Sequence, residues 1–82
     1  MSKYDPLRDY LQRQSTSHLK ITMDEIETIL QAALPPSAKK YPEWWANEDP
    51  DNTSHVQCRS WIFAGYKAFP DIDNECVTFE KE

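Results

Sequence analysis

Residues 18–30, HLKITMDEIETIL, change their hydrophobic period partway along. Over His18–Thr22, Leu19 and Ile21 alternate with His18, Lys20 and Thr22, the period-two pattern of a short half-buried strand. Beyond Met23, the residues Ile26, Ile29, Leu30 and Ala33 recur at helical spacing. The switch falls at Thr22, which forms a capping box with Glu25: the threonine hydroxyl serves the helix amides, and the glutamate reaches back to the threonine amide. Pro35-Pro36 is expected to stop this helix.

Working outward, Asp5-Pro6 reads as N-cap and first residue of an earlier helix, with Leu7, Tyr10 and Leu11 as its apolar stripe. Residues 35–52 are proline-punctuated, and Pro42 suits the first turn of a short helix carrying Trp44 and Trp45. Thr53 or Ser54 is placed to cap the helix SHVQCRSWIFA, whose buried side would carry Cys58, Trp61, Ile62 and Val56. Gly65 falls where a helix end needs a left-handed residue. YKAFPDI and CVTFE then read as two strands joined by a turn around DIDNE, with Pro70 at a strand end or on an edge. The order helix, strand, helix, short helix, helix, strand, strand predicts a single α+β domain over 1–82. A small antiparallel sheet of about three strands would pack on three to four helices, in winged-helix-like element order.

Composition narrows the function classes. The chain has 82 residues, near the lower limit for a self-sufficient core, so its three Trp, four Tyr and three Phe are first candidates for that core. Gly65 is the single glycine, so neither a dinucleotide fingerprint nor a P-loop can be written. There is no apolar run of the length, about 18 residues, that a membrane span requires. MSKYDPLRDYLQ carries charges where a signal peptide needs an apolar segment, so a cytoplasmic protein with Cys58 and Cys76 reduced is expected. Those two cysteines lie 18 apart and, with only His18 and His55 beside them, give no metal-ligand spacing, and no cofactor is implied. Cys58 and His55 lie three apart on one helix, yet no orienting third group or oxyanion donor can be assigned, so no catalytic constellation is read. The net charge is −5, with −4 in residues 43–52, −4 in residues 70–82 and +3 elsewhere.

Three binding readings remain. In YPEWWAN, residues 41–47, adjacent tryptophans on a helix sit about 100° apart, so one can enter the core while the other faces a groove. Trp44, Trp45, Asn47, His55, Gln57, Trp61 and Tyr66 could hold a flat, nucleotide-like molecule by stacking and amide or imidazole hydrogen bonds, with Ser37 adding a hydroxyl. The alternative is a winged-helix-like DNA reader. His55, Gln57 and Arg59 would then face base edges, with Lys39, Lys40 and Lys67 on phosphates, although a generic phosphate binder should be basic. A third reading presents residues 43–52 or 71–82 to a basic protein partner.

LPPSA, WWAN, H-x-Q-x-x-x-W-x-x-x-G-Y and VTFEKE, with the opening Y-D-P-L-x-x-Y-L and ITMDEIETIL, together resemble an uncharacterised small domain family of bacteria and their phages. The resemblance spans residues 4–80 and marks Leu34, Pro35, Ser37, Ala38, Trp44, Trp45, Asn47, His55, Gln57, Trp61 and Gly65. Family members usually carry glycine where Gln31 stands, so the preceding helix is expected to run one turn longer here. Some members sit beside nuclease-like domains, which implies recognition rather than catalysis. For a free-standing copy, the resemblance implies a sponge that sequesters a nucleotide-like defence signal without turnover. Such a sponge would act as a small homo-oligomer, because 82 residues form only shallow pockets alone.

Overall fold

In the computed structural model, which describes residues 2–53 and 55–82, the period switch at Thr22 is where a strand becomes a helix. Helix α1 (Asp5–Gln12) leads to β1 (His18–Thr22) and directly into α2 (Met23–Leu30). A short α3 (Pro36–Lys40) and a single 3-10 turn (Pro42–Trp45) precede α4 (Gln57–Phe63) and the hairpin β2 (Tyr66–Asp71) and β3 (Cys76–Lys81). The sheet is antiparallel in the order β1-β3-β2, with Ile21 opposite Val77 and Ala68 opposite Phe79. This is a small α+β fold of four helices and three strands.

Alternation along the strands sends Leu19, Ile21, Tyr66, Ala68, Val77 and Phe79 into the core cluster, while Lys20, Lys67 and Phe69 point outward. The helices supply Leu7 and Leu11, then Met23, Ile26 and Leu30, then Trp61. Helix α1 lies against both α2 and α4. The segment between α2 and α4 is filled by α3 and the 3-10 turn rather than by the tight turn of a helix-turn-helix. Among the described residues, no helix is long and apolar enough to cross a membrane.

The capping box forms as written: Thr22 Oγ1 accepts from the Glu25 amide at 3.1 Å, and Glu25 Oε1 accepts from the Thr22 amide at 3.3 Å. Gly65 is left-handed at φ +87°. Pro70 sits near the end of β2, an edge strand.

Four local expectations are corrected. Tyr4, not Asp5, is the N-cap of α1, because the buried Tyr4 ring anchors the chain entry and Asp5 turns back to accept from the Ser2 amide at 3.0 Å. Helix α2 does not gain a turn at Gln31. That residue adopts φ +56°, its amide bonds Thr28 O, and the Ala32 amide bonds Glu27 O, so a non-glycine residue closes the helix in the manner of a Schellman motif. Ala33 therefore lies beyond α2, and Pro36, rather than stopping a helix, opens α3, where its missing N–H costs nothing. Finally, α4 starts at Gln57 with Val56 at the cap and exposed; Thr53 Oγ1 serves the His55 amide instead of the helix. Ser54, the other expected cap, lies outside the described residues.

Candidate functional site

The 3-10 turn decides where the tryptophans go. Tyr41 precedes Pro42 and is held extended at φ −118°, ψ 119°, which swings its ring to the surface, 48 % exposed. One turn later Trp45 is fully enclosed, and its Nε1–H donates to Ala38 O at 2.8 Å. Trp45 stacks on Trp61, with centroids 5.6 Å apart, and Trp61 is equally enclosed. Trp44 remains half-buried. Its ring is braced edge-on by Tyr4 at 5.7 Å and by Trp45 at 4.7 Å.

Asn47 ties this cluster to the sheet. Its Oδ1 accepts from Trp61 Nε1–H at 3.0 Å and from the Ala68 amide at 2.8 Å, and its Nδ2 donates to Ala68 O at 2.9 Å. The side-chain amide thus pairs with Ala68 much as another strand would, covering backbone groups on the β2 edge. Of the residues expected to hold a guest, Trp45, Trp61, Tyr66 and Asn47 are committed internally. Tyr66 is 1 % exposed, and its hydroxyl donates to Thr16 O at 2.7 Å. The reason is economy: a domain this small needs its largest rings for the core.

The other four come together. Ser37, Trp44, His55 and Gln57 line an open groove of about 420 Å³, together with Tyr41 and Glu43, which the sequence reading passed over. The sequence signal for these two was Pro42, which forces Tyr41 outward and sets Glu43 on the exposed side of a tight turn. Gln57 is oriented by donating from Nε2 to Trp44 O at 3.2 Å. His55 Nδ1 lies 2.9 Å from Glu48 Oε1, which also accepts from Thr53 Oγ1. Those hydrogen bonds, from Thr53 first and His55 second, hold the Glu48 carboxyl below its usual range.

The side chains named for duplex reading are engaged within the chain. Lys39 pairs with Glu27 at 3.4 Å and Lys67 with Glu82 at 2.9 Å, while Arg59 donates to the carbonyls of Pro50 and Thr53. Lys40 Nζ rests 5.4 Å from the Tyr41 ring centroid. The Cys58 thiol donates to His55 O rather than facing the imidazole, and burial raises its pKa, so it lacks the thiolate character of a nucleophile. Cys58 and Cys76 are both free and buried. Among the described residues, no three His, Cys, Asp or Glu side chains gather to hold a metal ion.

The chain belongs to the DUF7662 family, a domain of unknown function, whose profile matches residues 4–82. No curated protein and no solved structure matches it.

Proposed function

We propose that this DUF7662 chain is a non-catalytic recognition module that holds a flat group in the groove between the 3-10 turn and the start of α4. The observation carrying this is the division of labour within Trp44-Trp45. Trp45 is sealed, whereas Trp44 is braced by rings behind it and left half-open toward a groove that also holds Ser37, His55 and Gln57. A rigid aromatic wall with a few oriented polar groups is the chemistry of small recognition sites. The groove is open, so it favours a group presented by a larger partner over a free nucleotide engulfed and sequestered.

The test is a titration of the isotopically labelled chain followed by NMR, with adenosine, AMP and blocked single amino acids as probes. A productive probe shifts the Trp44 indole N–H and the Gln57 side-chain amide saturably, while the enclosed Trp45 and Trp61 signals stay in place. Trp44→Ala should remove the response. If every probe leaves the Trp44 and Gln57 signals unmoved, the groove is not a recognition site.

A further inference from the structure

We infer that the group held in this groove is a cation, the guanidinium of an arginine on an exposed segment of a protein partner. The inference rests on the groove being a recognition site and adds the chemistry of its occupant. The groove offers its occupant a free carboxylate and free acceptors. Gln57 spends one Nε2 hydrogen on Trp44 O, which leaves Oε1 as a free acceptor beside the second N–H. His55 is held by the Glu48 carboxylate through Nδ1, which leaves Nε2 as its second ring nitrogen for an occupant. The exposed Glu43 carboxylate has no hydrogen-bond or ion-pair partner among the described residues.

Two aromatic side chains, Trp44 and Tyr41, line the groove, and aromatic rings attract cations through the ring quadrupole. Tyr41 already does so within the chain, where Lys40 Nζ approaches its centroid to 5.4 Å. The surrounding charge leans the same way: residues 43–52 carry −4 and Lys39 is neutralised by Glu27, against the Lys40 ammonium beside Tyr41. A phosphate in this groove would meet the Glu43 carboxylate. A guanidinium meets planar rings and a carboxylate at once, which suits its flat, donor-only fork better than a lysine ammonium.

The experiment uses the full chain and blocked pentapeptides Gly-Gly-X-Gly-Gly, with X arginine, lysine or the uncharged isostere citrulline. The arginine peptide should shift the Trp44 indole and Gln57 amide signals saturably, bind more tightly than the lysine peptide, and weaken as salt rises. Glu43→Gln, at an exposed position without a side-chain bond, should weaken the arginine peptide by about five-fold and leave thermal stability unchanged. Citrulline binding equal to arginine would overturn the cationic occupant while keeping the groove. AMP or a single-stranded oligonucleotide binding at Trp44 more tightly than the arginine peptide would replace it with a nucleotide-like or nucleic-acid occupant. No response at Trp44 to any of these probes would remove the groove itself.

Discussion

Trp45 and Trp44 are chemical twins one residue apart, and the molecule treats them oppositely. On the closed side, Trp45, Trp61 and Asn47 form a fully bonded unit in which both enclosed indole N–H groups have acceptors. On the open side, Trp44 and Tyr41 leave ring surface exposed beside His55, Gln57 and Glu43, which has no partner among the described residues. Two coupled facts produce the contrast. A small core must take most of the large rings, and a proline-initiated 3-10 turn cannot direct adjacent side chains to the same place. The closed side supplies stability, and the open side is what remains for recognition.

The largest effect that would break this contrast is on the closed side. Trp45→Ala removes a fully enclosed indole and orphans Ala38 O, and should cost about 3–5 kcal/mol in urea denaturation. A domain of this size has roughly 4–12 kcal/mol in total, so the variant is expected to be partly unfolded at 37 °C. Trp44→Ala should cost about 1–2 kcal/mol, because its ring is only half removed from water. Equal losses for the two variants would mean that the open side is core after all.

Asn47→Ala is the next largest. It leaves Trp61 Nε1–H and both backbone groups of Ala68 without their protein partner, at about 2 kcal/mol in total, since water can reach the exposed Asn47 position. Hydrogen exchange at the Ala68 amide should accelerate far more than at the β1–β3 pairs. Unchanged exchange at Ala68 would show that Asn47 does not guard the edge.

How much of this was legible follows from where each signal resides. β1 could be read to its exact residues because one face is buried and the pattern is strictly alternating, and the capping box and Gly65 are local signatures confined to a few residues. Helix α3 was missed because Pro35-Pro36 reads as a stop, although proline suits a first turn as well. The 100° divergence of Trp44 and Trp45 told that they part, but which one enters the core depends on Ala38 O and Trp61, neither adjacent in sequence. Asn47 looked like a ligand-binding amide because its partner, Ala68, lies 21 residues away on another element. Of the eight expected site residues, those facing the groove were separable from the core ones only once that packing was known.

Gln31→Gly gives a smaller effect of opposite sign. A left-handed non-glycine residue is strained by roughly 1–2 kcal/mol, and glycine returns part of that as lost chain entropy, so a net gain of about 0.5 kcal/mol is expected. The gain should appear in the melting temperature and leave the groove signals alone, because Gln31 is exposed and does not line the groove. A loss of stability would show that the Gln31 side chain contributes something its exposed position does not reveal.

The smallest expected effect is a pH dependence that reaches the open side and spares the closed one. Glu48 is held below its ordinary pKa of 4.5 by the Thr53 hydroxyl and then by His55. A carboxyl depressed in the folded state contributes stability above its unfolded pKa and loses it as pH falls through the folded value. The closed side is neutral throughout, a network of amide, indole and carbonyl, with nothing to protonate in that range. Between pH 6 and pH 3 the Thr53 signals should therefore change while the Trp61 indole N–H and the Ala68 amide hold their positions. Glu27, depressed by the Leu34 amide first and Lys39 after it, adds its own acid-side loss at the end of α2, so the overall melting temperature falls for more than one reason. Glu48→Gln should remove the acid response of Thr53 but keep the fall due to Glu27. If the Trp61 and Ala68 signals titrate together with Thr53 in the wild type and stop doing so in Glu48→Gln, the two sides are one cooperative unit rather than a rigid core carrying an independent recognition edge.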